Sequence, residues 1–183
     1  MGKIKVHEFT TLDGVIGAPT WTLDYKFTDA MAAAIGAVTD SCEAILLGRV
    51  TYQEFAPAWS SRTVEDDPGA PFFNETPKHV VSATLRSADW NNSSVLGGYD
   101  PEAIGRLRQS VDGGIYVSGS GTLVRAMLAD GLVDELHLFV YPVALGTGPR
   151  LFPEGGPRTT LALADARAMD NGVAYLTYTP VAA

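Results

Sequence analysis

The chain has 183 residues, 46% hydrophobic and 19% charged, the composition of a soluble globular fold of one domain or at most two small ones. Its formal net charge of −8 argues against nucleic acid or an anionic membrane as its main partner, while leaving room for a phosphorylated ligand whose binding groups are local. Cys42 is the single cysteine, which excludes an internal disulfide and speaks against a cysteine-held zinc; at the end of a helical pattern before "AILLG", it reads as a small buried apolar residue rather than a reactive thiol.

In chain order, "MGKIKVHEF" reads as a first strand, alternating from Lys3 to Phe9, and not as a signal peptide. No run approaches membrane-spanning length, so the cytoplasm is the expected location. "TTLDGVIG" (10–17) carries the strand into a loop. Thr28 or Asp29 caps a helix with Met31, Ile35 and Val38 on one face. "EAILLG" (43–48) suits a strand covered on both sides, and "RVTYQEF" a helical turn or two ended by Pro57. Residues 60–77 form the longest loop. "KHVVS" (78–82) and "SSVLG" (93–97) are strands, and Pro101 opens a helix carrying Ile104 and Leu107. A strand over 114–118 meets Gly119-Ser120-Gly121 and a helix over 121–130, followed by a strand from Glu135 to Val140. Asp170-Asn171-Gly172 marks a hairpin between two final strands. Alternating β and α, then strands, predicts one α/β domain over 1–183: a mostly parallel sheet flanked by helices, with an antiparallel C-terminal edge.

Two strand-to-helix junctions carry glycine: Gly48-Arg49-Val50-Thr51, and Gly119-Ser120-Gly121-Thr122. At each, free backbone N–H groups and the positive end of a helix dipole favour a phosphate. Arg49 adds a fork of donors, while Thr51, Ser120 and Thr122 add hydroxyls. Either junction alone is as readily a plain turn; two in one α/β sheet point toward a dinucleotide at the strand C-terminal ends. The second is no Rossmann fingerprint, because Val124 stands where the third glycine belongs. Ser82, with Thr84 and Arg86 beyond it, ends a strand where a 2′-phosphate or only solvent would sit. Asp13 in "LDGVIG" is the most pointed acidic candidate, against a turn Asp-Gly as the plainer reading. Asp24 is open, and Asp29 reads as a helix cap. His7, His79 and His137 lie far apart within strand patterns, with no metal spacing. There is no nucleophile elbow or P-loop lysine.

With these pieces in view, the chain resembles the dihydrofolate-reductase-like superfamily, and most closely the stand-alone relatives of the riboflavin-biosynthesis reductase domain, the RibD C-terminal type. "GSGTLVRAMLADGLVDELHLFVYPVALGTGPRLF" (119–152) is similar to that family in the same order, as are "TTLDGVIG", "LLGRVTYQEF" (46–55) and "KHVVS". The resemblance implies an NADPH-dependent reductase with an eight- or nine-stranded sheet. Gly48, Arg49, Val50 and Thr51 would face the cofactor phosphates, with Ser82 near the 2′-phosphate. Gly119, Ser120, Gly121, Thr122 and Leu123 would wrap the pyrophosphate and nicotinamide side. Asp13 and Gly14 would border nicotinamide and substrate, across a pocket from Trp21, and a proton would come from Asp13, Asp24 or water.

Family members commonly form homodimers, and strand 135–141 is the expected interface element. The implied reaction is hydride transfer to a small heterocyclic substrate of the 5-amino-6-(5-phosphoribosylamino)uracil kind. The alternatives are a dihydrofolate or pteridine reductase and a non-catalytic nucleotide-binding module. The chain departs from the bifunctional riboflavin enzyme in lacking its zinc deaminase signature. It also departs from dihydrofolate reductases after Trp21, where "TLDYKFTDAM" carries no acid at their spacing.

Overall fold

The computed structural model describes residues 1–181. Its first strand, β1 (Ile4–Thr11), is the axis of the sheet, pairing in parallel with β5 (Gly114–Ser118) on one side and β6 (Glu135–Tyr141) on the other. Next to β5 come β2 (Cys42–Gly48), β3 (Lys78–Val81) and β4 (Ser93–Gly97), all parallel. Beyond β6, the chain turns back into the antiparallel hairpin of β7 (Leu161–Ala168) and β8 (Ala174–Pro180). The order is β4-β3-β2-β5-β1-β6-β8-β7. This is the predicted sheet, mostly parallel with an antiparallel C-terminal edge.

Alternation along β1 sorts the two faces. Ile4 and Val6 join a core beneath α4 (Pro101–Ser110) and α5 (Gly121–Ala129), including Ile104, Leu123 and Met127. The opposite face is aromatic. There Phe139, Tyr141 and Tyr175 pack on Trp21 and on α1 (Asp29–Thr39), while Tyr52 of α2 (Arg49–Trp59) and Phe73 of α3 (Ala70–Glu75) cover Tyr116. His7 lies buried on this face, its Nδ1 2.8 Å from the Tyr116 hydroxyl. Burial, with His137 beside it, pulls His7 down to about 3, so the ring is neutral.

Four expectations change. Pro57 does not end α2, which runs to Trp59. The N–H that proline lacks leaves the exposed Gln53 carbonyl to solvent, and Ser60 N–H resumes the ladder on Ala56 O at 3.0 Å. The long loop 60–77 contains α3. Cys42 opens β2 rather than closing a helix, and burial raises its thiol. Finally, β6 is an interior strand between β1 and β8, with Leu136, Leu138 and Phe139 buried within the subunit. It is not an edge of the sheet; the edges are β4 and β7, and β7 is exposed along most of its length.

Lys78 explains how a six-residue helix persists. Its buried ammonium donates to the carbonyls of Phe73 (2.7 Å), Thr76 (2.9 Å) and Asn74 (3.3 Å), closing the C-terminal end of α3. It also lies 4.5 Å from the Trp90 ring centroid, and burial lowers its pKa to about 8.

Candidate functional site

Because β2 and β5 are neighbours, the two glycine junctions at their C-terminal ends form one structure. Ser120 laces them together. Its Oγ accepts from Gly48 N–H at 2.9 Å and donates to Ser118 O at 3.2 Å, while its own N–H donates to Thr51 Oγ1 at 2.9 Å. Gly119 and Ser120 both take left-handed backbone, at φ 56° and 58°. At Gly119 a Cβ would lie 3.1 Å from Thr51 Oγ1, so glycine serves both the turn and the close approach.

Neither α2 nor α5 has a side chain closing its first turn. Two sets of helix N-terminal N–H groups are thus left open beside each other, the arrangement a pyrophosphate requires. Arg49 lies exposed along α2, its Nη1 donating to Gln53 Oε1 at 2.8 Å, and Val50 is exposed beside it. Thr122 Oγ1 accepts from Arg125 Nη2 at 3.1 Å. The Leu123 side chain is buried in the α4/α5 core, which leaves its backbone to face a ligand.

Ser82 follows β3, whose last residue, Val81, pairs with Gly48 in the strand register. Its Oγ accepts from Leu85 N–H at 2.9 Å and Thr84 N–H at 3.2 Å, organising a turn whose exposed Thr84 and Arg86 stand next to the cradle. The residues fit a phosphorylated dinucleotide, with the open helix ends for its bridging phosphates and this turn for a further one.

Across the sheet end, Asp13 sits at the centre of a set of hydrogen bonds. Its carboxylate accepts from Thr11 Oγ1 (2.6 Å), Gly146 N–H (2.8 Å), Leu145 N–H (3.2 Å) and Arg150 Nη2 (3.3 Å), while Arg150 Nε donates to Asp13 O at 2.8 Å. These partners, the Thr11 hydroxyl foremost, hold the carboxyl well below the usual carboxylate range. So bonded, Asp13 acts as a clamp, tying the Leu12-Asp13-Gly14 turn (Gly14 φ 81°) to the 143–151 loop.

That loop and the segment after Gly14 wall a cavity of about 640 Å³, with Val15, Gly17, Trp21, Asp24, Leu145 and Pro149 around it. Trp21, in a 3-10 turn over Pro19–Asp24, lies edge-on to Tyr141, and its Nε1–H has no acceptor among the described residues. A Cβ on Gly121 would meet Ile16 Cδ1 at 2.5 Å, so α5 and the "LDGVIG" segment touch where cradle and cavity meet. A smaller recess of about 220 Å³ shares the Gly148–Pro149 lip and holds Arg125, Arg150 and Glu154.

The RibD C-terminal domain model matches residues 3–175. The chain belongs to the RibD C-terminal domain family. It is 26% identical to the uncharacterised protein YyaP of Bacillus subtilis, covering 92% of this chain and 89% of that one. A candidate riboflavin biosynthesis protein of Shewanella sp. PV-4 superposes with a TM-score of 0.80 at 20% identity, over 100% of both chains. A diaminohydroxyphosphoribosylaminopyrimidine deaminase/5-amino-6-(5-phosphoribosylamino)uracil reductase of Thermotoga maritima gives 0.68 at 14% identity, over 98% of this chain and 57% of that one. The fold is thus dihydrofolate-reductase-like, and the chain is a reductase-like RibD C-terminal domain.

The sequence reading of this RibD C-terminal domain missed three residues: Arg125, Arg150 and Glu8. The arginines lay within quoted motifs, but nothing in their spacing marks a shared recess. Glu8 did leave a signal, since strand alternation sets it on the same side as Ile4 and Val6. It is 2% exposed and close to Gly119.

Proposed function

We propose that this protein is an NADPH-dependent reductase of a small heterocycle, of the 5-amino-6-(5-phosphoribosylamino)uracil kind. The observation that carries the reading is the pair of uncapped helix N-termini laced by Ser120. Gly48, Thr51, Gly119, Ser120, Gly121 and the backbone of Thr122 and Leu123 would hold the pyrophosphate. Arg49 and the Ser82–Thr84–Arg86 turn would hold the 2′-phosphate. Bound there, NADPH would supply a hydride for a C=N or C=O carbon.

The residues of the chain then orient and shield the substrate. Its ring would lie in the cavity against Trp21, while the Asp13-clamped loop excludes water. The recess behind the Gly148–Pro149 lip supports a phosphorylated substrate, because Arg125 and Arg150 retain guanidinium N–H groups beyond those in their internal bonds. The proton would come from Asp24 or from water. The protein would work in the cytoplasm on a small molecule, as a homodimer through its free β7 edge.

One observation favours a second substrate. Asp24 is the ionisable side chain among the described residues that wall the larger cavity. A carboxylate there suits the amino edge of a pteridine, as in a dihydrofolate or pteridine reductase.

A thermal-shift titration tests the cofactor. At a hundred times its Kd, NADPH should raise the melting temperature by about 5–10 °C, with NADH well behind. Absence of a shift with either nucleotide overturns the reading. NADPH oxidation with the aminouracil ribotide, then with dihydropteridine or dihydrofolate, separates the substrates; binding without turnover of any would leave a nucleotide-binding module.

A further inference from the structure

The 143–151 loop, which walls both the larger cavity and the recess, is exposed from Ala144 to Pro149. Backbone bonds splice it to the chain after β1. Leu12 N–H donates to Val143 O at 2.8 Å, Ile16 N–H to Pro149 O at 2.9 Å, and Leu151 N–H to Gly14 O at 3.0 Å. The Arg150 side chain adds its bonds to Asp13 and, at 3.1 Å, to Gly146 O. Turn and loop thus form one unit on the substrate side.

One polar link joins that unit to the cofactor side. Arg125 stands on α5, one turn after Gly121, and is half-buried. Its Nη1 donates to Arg150 O at 3.0 Å and its Nη2 to Thr122 Oγ1 at 3.1 Å. Among the described residues no other hydrogen bond connects α5 with the unit. The rest of the junction is apolar, where Ile16 meets Gly121. A Cβ on Gly121 would also lie 3.2 Å from Arg125 Nη1, so the guanidinium lies alongside the first turn of α5.

The choice of arginine matters here. Its donors share one rigid plane, so a grip on one partner fixes the direction of the grip on the other. The bond to Thr122 also sets a polarity. Because Oγ1 accepts from Arg125, the Thr122 O–H is left to donate, and Thr122 is exposed at the cradle. A phosphate at the open end of α5 is an acceptor that suits it.

We propose that Arg125 is a positioning residue that latches the substrate-side loop onto the first turn of the cofactor helix, so that a phosphate held at that turn stiffens the wall of the cavity. Naming the phosphate as that of NADPH rests on the function proposed above; the latch does not. A phosphate that fixes Thr122 also fixes the other arm of the same guanidinium, and with it Arg150. The coupling is reciprocal, so a ligand that orders the loop strengthens binding at the cradle.

Amide hydrogen exchange reads the latch without turnover. The reporters are the Ile16 and Leu151 amides, bonded between turn and loop; the Met169 amide, bonded to Val173 O at 2.8 Å in the far hairpin, is the control. Arg125→Met keeps the stem and loses the fork. In its apoprotein both reporters should exchange about tenfold faster than in wild type, with Met169 unmoved. Saturating NADPH should slow the reporters in wild type and not in Arg125→Met. Thr122→Val cuts the cradle-side arm alone: its apoprotein should exchange like wild type, and NADPH should no longer slow it.

Reporters unchanged in Arg125→Met, or a Met169 amide that quickens with them, overturn the latch. Equal slowing by NADPH in wild type and Arg125→Met overturns the transmission through it. If wild type binds neither NADPH nor NADH, the reductase reading fails. The apoprotein comparison still decides Arg125: faster exchange confined to the reporters upholds the latch, and unchanged exchange overturns it.

Discussion

Helices α1 and α4 begin with a side chain turned back onto their own first turn. Thr28 accepts from Met31 N–H at 3.3 Å, and Asp100 from Glu102 N–H at 3.0 Å. Helices α2 and α5 begin on Gly48 and Ser120, and neither is closed this way. The contrast is sharpest at Ser120, whose residue type is among the best N-caps yet whose hydroxyl reaches across to Gly48 and Ser118. A closed helix end stabilises only its own helix. An open one forgoes about 1 kcal/mol of capping and keeps its donors for a ligand. The short α3 also starts without a side-chain cap, at Gly69, though Pro71 removes a donor from its first turn and Lys78 seals its far end.

Substitutions at sealed and open ends should therefore separate stability from binding. The largest effect is expected at the Lys78 seal. Lys78→Met leaves three carbonyls without their cation and should cost about 3 kcal/mol, a fall in melting temperature of about 6–12 °C, with nucleotide affinity per folded molecule unchanged. Gly119→Ala comes next and acts on the open end. Its Cβ, in left-handed backbone and against Thr51, should weaken NADPH binding by about tenfold in calorimetry. Asp100→Ala is the mildest, costing about 1 kcal/mol in urea unfolding with nucleotide binding intact. Equal losses of affinity at Asp100 and Gly119 would erase the distinction between the two kinds of helix end.

Most of the fold was legible because its signals are local. The apolar run of β2, the Pro101 start of α4 and the Asn171-Gly172 turn each determine their surroundings within a few residues. Pro57 misled because an exposed carbonyl can turn to water, and α3 was hidden because its stability comes from Lys78 rather than from its own sequence. The cradle was only half legible. The sequence marks both glycine junctions, but their fusion through Ser120 depends on β2 and β5 being neighbours, across 72 positions of chain. The clamp at Asp13 was hidden for a similar reason. Its donors at Leu145, Gly146 and Arg150 are more than 130 residues away, and no local pattern announces them.

His7 and Glu8 are consecutive on β1, face opposite layers, and are both buried. The unfolded chain takes up a proton at His7 below about 6.5, whereas the folded chain waits until about 3, so stability falls with acid across that window. Glu8 works in the reverse sense: the folded chain keeps a proton that the unfolded chain releases above about 4.5, so stability falls as pH rises until the raised folded value is reached. Above about 4.5, where both slopes act, they oppose each other. Urea midpoints should fall with acid where His7 acts alone and vary less with pH where both act. His7→Phe should remove the acid fall, and Glu8→Gln the opposition to it. One dipeptide thereby sets the breadth of the pH range over which this sheet is most secure.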